Sequence, residues 1–303
     1  MFWLGSLLAT LFVVIAVGVA THDGYIRRHY RHPRLLIGAL LTLSILAIPL
    51  SVGIALTAPE QQQPWVQYAI GALFLTLPAI VALGLHLRHS PRLPARQRRV
   101  LAVGAHPDDL ELACGASLAR FVDEGHEVMA MVMSHGDHGG IGEEREREAL
   151  RGAELLGLEG VTVRDFTDTR MAEEISEIVG AVEVAIELFK PDIILTHSAH
   201  DQHQDHHAVH LATMRAARHS PTILCFESPS VTQEFRPNFF VDVSEYLESK
   251  VSAVQMHRDQ SGKPYMGAKL LRGAAVFRGR QGRIPQAEGF EVMRALSSDL
   301  GEL

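Results

Sequence analysis

Two short segments are the richest in metal-ligand chemistry. Residues 105–111 read AHPDDLE, and residues 197–210 read HSAHDQHQDHHAVH, with six histidines and two aspartates. In the first, His106 and Asp109 flank Pro107 and Asp108. Proline fixes its own φ and restricts the residue before it, so this turn is stiff. A stiff turn can aim an imidazole and a carboxylate at one point. A catalytic zinc takes three protein ligands and keeps one position open. His106 and Asp109 supply two, so the third is expected from the histidine tract. Asp108, adjacent to a ligand, is placed to meet the attacking water rather than the metal.

Within the tract, HQDH (203–206) offers His206 as third ligand and His203 as a second catalytic group. Asp205 is placed to hold a ring N–H of a catalytic histidine and raise its basicity. A rival arrangement pairs His206 with His210 at i, i+4 on the following helix, but the glutamate of an HExxH motif is absent. His207 and His210 fall on that helix. His197 and His200 are expected at the pocket mouth.

The elements that carry these segments are legible from periodicity. Short apolar strands are expected at 100–106, 126–135, 161–166, 192–198, 222–228 and 239–244, and helices at 110–124, 143–158, 171–190 and 208–218. A helix through His257 and a helical tail near 288–296 follow. Alternating strands and helices mean α/β, with a Rossmann-like, mostly parallel sheet flanked by helices. A strand order 3-2-1-4-5 makes strands one and four neighbours at the reversal of order, where ligands bind beyond the strand ends. The loop after strand one is AHPDDLE and the loop after strand four is the histidine tract. No GxGxxG follows strand one, so a dinucleotide is not expected.

The first ninety residues differ in kind. Trp3–Ala20, Leu35–Thr57 and Trp65–Leu85 contain no charge. Each is long enough to cross about 30 Å of hydrocarbon as a helix. The sheet is therefore preceded by three expected transmembrane helices, in a membrane region over 1–97, with the catalytic domain over 98–303. The first run lacks a basic flank and reads as a retained anchor rather than a cleaved leader. Arg27, Arg28, Arg31 and Arg34 lie between runs one and two, and Arg88, Arg92, Arg96, Arg98 and Arg99 follow run three. The loop at 58–64 has no basic residue. The positive-inside rule then puts the N-terminus outside and the C-terminal domain in the cytoplasm. Residues 1–99 hold nine arginines, no lysine and two acids, a net of +7, which leaves −14 for the remainder of a chain of net charge −7. A domain so acidic is a poor nucleic-acid binder. Membrane lipids are its expected partners through the apolar runs. Cys114 and Cys225 are far apart and outside any CxxC, so neither a disulfide framework nor a thiolate metal site follows.

These motifs resemble the PIG-L (LmbE-like) family of zinc-dependent N-acetylglucosaminyl deacetylases over residues 98–296. AHPDD followed by ELACGASLA (111–119) carries the strongest likeness. SHGDHGG (134–140), REREALRGAELLG (145–157), the histidine tract and AEGFEVMR (287–294) follow in the family's order. The resemblance implies His106, Asp109 and His206 as zinc ligands and Asp108 as general base. It implies His203 as the group that stabilises the oxyanion or assists the leaving amine, and Arg145 as substrate-binding. Gln204 and His207 depart from the usual proline and arginine, and His138 stands where small residues are frequent, a position that bears on substrate fit. The implied cofactor is zinc, although Fe²⁺ suits a similar His/carboxylate set. The expected substrate is an acetylated amino sugar, lipid-linked in view of the membrane region. Two other readings remain: a soluble glucosaminyl conjugate of thiol-precursor type, and a non-enzymatic membrane metal sensor. Glycines 136, 139, 140 and 142 make a loop that either closes over substrate or forms a plain surface turn. Asp168 and His257 are further candidates for the pocket.

Overall fold

The computed structural model describes residues 2–57, 64–91, 94 and 96–300. The non-basic loop at 58–63 and Arg92 of the basic segment lie outside them. The chain forms two compact units, residues 1–89 and 90–303.

In the first unit, α1 (Phe2–Thr21), α3 (Pro33–Leu56) and α4 (Pro64–Leu87) are the three apolar runs, and α2 (Asp23–His29) forms within the basic loop. Among the described residues these three helices are long and apolar enough to cross a membrane. Pro49 and Pro78 lie inside α3 and α4, which a membrane helix tolerates better than a soluble one. Leu8, Phe12, Ala47, Ile54, Val66 and Leu73 form the inner cluster. Gly5 permits the close approach of α1 to α3, since a Cβ there would stand 2.6 Å from the Ser51 carbonyl oxygen. Leu7, Val14, Ile45, Leu46, Leu75 and Val81 face outward and are exposed. Helices apolar on both faces are those of a large protein's core or of a membrane span.

The second unit begins with β1 (Arg99–Gly104), α5 (Asp109–Asp123), β2 (Glu127–Val132), α6 (Gly142–Leu156) and β3 (Val161–Val163). It continues through α7 (Ile175–Phe189), β4 (Ile193–His197), α8 (Gln204–Ala216) and β5 (Thr222–Phe226). Last come β6 (Phe239–Asp242), α9 (Leu247–Val254), α10 (Ala268–Gly282), β7 (Ala287–Arg294) and the short α11 (Ser297–Leu300). Among the described residues the sheet order is β3-β2-β1-β4-β5-β7-β6. The first five strands are parallel, in the order expected, and β7 is antiparallel to both its neighbours. Strand alternation feeds two cores. Val100, Ala102 and Leu195 face Leu118 and Phe121 of α5 and Leu156 of α6. Leu101, Val103 and Ile194 face Ile178 and Val182 of α7 and Val209 of α8.

Two expectations are corrected. The tail at 288–296 is not helical: residues 287–294 are β7, inserted between β5 and β6. Its pattern misleads because Glu288 and Glu291 are buried among its apolar residues and satisfied by ion pairs and hydrogen bonds. The helix expected over 171–190 opens instead with a 3₁₀ turn at Met171–Glu173. The glycine-rich, basic α10 carried no clear apolar period and was not expected.

Glu288 has a specific task. Helix α5 breaks at Cys114 (φ −134°), which interrupts its internal hydrogen bonding. The Glu288 carboxylate accepts from the backbone N–H groups of Ala116 (3.2 Å) and Ser117 (2.7 Å). It also receives the buried Lys250 ammonium at 2.6 Å.

Candidate active site

Because β1 and β4 are neighbours, the turns that follow them meet beyond their carboxyl ends. His106, Asp108, Asp109, His138, Arg145, Asp168, His203 and His206 all line one cavity of about 310 Å³. It therefore contains seven of the eight residues singled out for the site, together with Asp168. Asp205, the eighth, is buried behind His106.

The turn is built around Asp109. Its Oδ2 accepts from the backbone N–H of Ala105 (3.0 Å) and of His106 (2.7 Å). Its Oδ1 stands 3.3 Å from His206 Nε2, and His106 Nδ1 is 3.5 Å from Oδ2. His106, Asp109 and His206 are each buried. Two closer groupings share His206: one with His106 and His203, one with Asp109 and His197. A third joins His106, Asp168 and Asp205.

The electrostatics of the cluster favour positive charge. Burial opposes charge on every member. Even so, His206 and His197, with hydrogen bonds from His106 and His197, hold the Asp109 carboxyl well below its ordinary range. Burial would lower His206, but Asp109 and Asp201 hold it up to about 9. His106 is raised likewise, against burial, by Asp109, Asp168 and Asp205. Imidazoles and carboxylates converging in a buried cluster that favours positive charge are the donor set of a zinc-type site, and the residues fit such an ion.

Asp201 was not singled out, yet it fixes His206. Its carboxylate meets His206 Nδ1 at 2.9 Å and accepts from the Ser228 and Ser230 hydroxyls. This directs Nε2 toward Asp109. Partners of this kind are worth about 10- to 100-fold in metal affinity. Asp201→Ala is expected to weaken zinc binding by that factor, measured by competition with a chromogenic chelator. An unchanged affinity would remove Asp201 from this role.

The Asp205 carboxylate engages the His106 ring and not that of His203. Its Oδ2 lies 3.1 Å from His106 Nε2 and accepts from Thr169 N–H at 2.6 Å. Toward His203 it presents only its backbone N–H, donated to Nδ1 at 3.3 Å. Arg145 reaches Asp108 Oδ1 at 3.0 Å and the Gly136 carbonyl at 2.7 Å, with both side chains buried. Gly136 has φ +72°, and the Arg145 guanidinium fills the space a Cβ would take. The glycine loop is thus tied to the HPDD turn. The His138 N–H donates to Asp168 Oδ2 at 2.8 Å, which places Asp168 on the cavity wall.

Three histidines sit elsewhere than expected. His197 is not at the mouth: it ends β4, is fully buried beneath the site, and stacks on His206 at 4.0 Å. Burial and the neighbouring His206 charge push it down to about 4, so it is neutral. His200 lies against Glu291 at 3.1 Å and does not line the cavity. His257 is buried 3.3 Å from Glu111, also away from the cavity. The rival His206/His210 pairing does not form, because His210 Nδ1 faces the His197 carbonyl at 2.8 Å. Lys263 and Tyr265, from the turn around Pro264–Met266, complete the cavity wall. Nothing in their local sequence signals this.

Residues 101–217 match the family model PIG-L, described as GlcNAc-PI de-N-acetylase. An uncharacterized deacetylase of Escherichia coli K12, YaiS, is 38% identical over 170 residues, covering 54% of this chain and 92% of the relative. The diacetylchitobiose deacetylase of Thermococcus kodakarensis is 26% identical over 223 residues, covering 65% and 83%. In fold, the chain is similar to N,N'-diacetylchitobiose deacetylase from Pyrococcus horikoshii, with a TM-score of 0.57 at 20% identity, over 67% of this chain and 88% of that one. The ordered motifs, the α/β sheet that unites them and the extent of the match to the Escherichia coli relative agree: the chain belongs to the PIG-L/LmbE-like deacetylase family.

Proposed function

We propose that residues 90–303 form a zinc-dependent deacetylase that removes acetyl from an N-acetylglucosamine-type group on a lipid-linked or membrane-associated glycoconjugate. The observation that carries this reading is Asp108. It is a buried carboxylate, held by Arg145, at the wall of a cavity shared with the His106–Asp109–His206 cluster. Metal binding alone has no need of it.

A zinc ion held by His106, Asp109 and His206 would supply Lewis-acid activation of water and of the amide carbonyl. The remaining chemistry belongs to the chain. Arg145 engages Asp108 Oδ1, so Oδ2 is the oxygen that takes a proton from the attacking water. His203 Nδ1 accepts the Asp205 N–H, so the neutral ring carries its proton on Nε2. Burial and the neighbouring His206 and His106 charges push His203 down, which favours the neutral ring. It is thereby a hydrogen-bond donor to the oxyanion. Asp108, once protonated, can pass that proton to the departing amine. Asp168, His138 and Lys263 face the sugar.

The test is amine release by the full-length protein, zinc-loaded and held in lipid nanodiscs. A soluble N-acetylglucosamine conjugate is compared with an N-acetylglucosaminyl lipid, with Asp108→Asn as blank and metal content measured in parallel. Release from the lipid supports the reading. Faster release from the soluble conjugate would replace the lipid with a thiol-precursor type of substrate. Release from neither, with zinc bound, would favour a sensor.

The lipid link is supported by α1, α3 and α4 and by the arginines that flank them. The proposed topology places the N-terminus outside and the catalytic unit in the cytoplasm. A cysteine introduced at Ser90 is expected to resist an impermeant maleimide in intact cells and react after permeabilisation. Labelling in intact cells would invert the topology.

A further inference from the structure

A second chamber of about 270 Å³ adjoins the catalytic cavity and shares Leu112, Pro229 and Tyr265 with it. Its character is different. Val231, Leu270, Leu271, Ala274 and Ala275 give it apolar walls. Its charged wall groups are already paired: Lys250 with Glu288 at 2.6 Å, and Arg278 with Glu227 at 2.5 and 2.7 Å. They are therefore poorly suited to bind a further charged ligand.

One wall is helix α10, and the chamber reaches the surface along it. Leu270 is 56% exposed and Phe277 57%, and Ala274 between them is exposed. At i, i+4 and i+7 these three form a continuous stripe on one helix face. Leu270 and Ala274 also line the chamber. Exposed Lys269 and Arg280 flank the stripe. The wall shared with the catalytic cavity, Leu112, Pro229 and Tyr265, thus lies at one end of a chamber whose α10 side is an exposed apolar edge.

We infer that this chamber holds the alkyl chain of the substrate's aglycone, with the sugar in the catalytic cavity and the distal chain leaving along the Leu270–Ala274–Phe277 stripe. The inference rests on the deacetylase reading and narrows its substrate to an amphiphile. An open distal end favours a carrier chain over the acyl group, because a carrier longer than the chamber must leave it and an acetyl never reaches it. Each methylene buried is worth about a fourfold change in affinity.

The test compares methyl and hexyl glycosides of N-acetylglucosamine as substrates of the full chain in nanodiscs, against Ala274→Trp, which fills the chamber from its exposed wall. The expected result is a kcat/KM at least about tenfold higher for the hexyl glycoside. In Ala274→Trp that advantage should fall below about threefold, with the methyl glycoside little changed. Equal rates for the two glycosides in the parent would overturn the inference. So would a preference that follows a hexanoyl amide on the methyl glycoside rather than the glycosidic chain. If no glycoside releases amine, the deacetylase reading fails and the chamber is judged by calorimetric binding of the hexyl glycoside. Binding lost in Ala274→Trp then supports it, and no binding overturns it.

Discussion

Asp108→Asn is expected to lower kcat for amine release by about 10²- to 10⁴-fold, the range for loss of a positioned general base, while zinc content stays stoichiometric. The amide keeps the size of the carboxylate and can still face Arg145, but it cannot accept a proton from water. Asp108 lies next to Asp109 in the turn without joining any of the donor groupings. The two measurements therefore separate: activity falls and metal stays. Loss of zinc in this variant would make Asp108 a ligand and undo the assignment of Asp109. Full retention of activity would remove proton abstraction at this position.

The second large effect concerns stability. Glu288→Leu is expected to cost about 3–5 kcal/mol, the range for breaking a buried pair by removing one partner. It leaves the Lys250 ammonium buried without its carboxylate, and the Ala116 and Ser117 N–H groups without their acceptor. For a unit of this size that corresponds to a fall in Tm of roughly 6–20 °C, measured by calorimetry on the full chain. The double variant Lys250→Met/Glu288→Leu should recover part of the loss, since it removes the orphaned charge. A double variant less stable than the sum of the singles would mean that the pair is not what holds this region.

The parallel half of the fold was legible because its strands are short, apolar and punctuated by helices of clear period. The order 3-2-1-4-5 then brought HPDD and HQDH together with no further information. What followed β5 was harder. Strand β7 hides behind Glu288 and Glu291, whose charges are compensated by residues far away in sequence, Lys250 and Ser198 among them. In the site, the residues that line the cavity were largely readable from residue type and spacing. The groups that aim them were not. Asp201 holds His206 across a loop with no periodic spacing, and Lys263 and Tyr265 arrive from a turn more than fifty residues beyond the tract. His197 looked like one more pocket histidine, but the end of a central strand buries it completely.

The position of β7 also dictates an order of assembly. Among the described residues β6 pairs with β7 alone, yet it precedes β7 by some forty-five residues in the chain. During synthesis, the five parallel strands can zip together while β6 waits without a neighbour. Throughout that interval β5 offers the unpaired backbone of Thr222–Phe226 as an open, apolar border, the type of edge that invites pairing with other chains. The polypeptide closes that border with a strand made after the other six described, and the same strand delivers Glu288 to the break in α5.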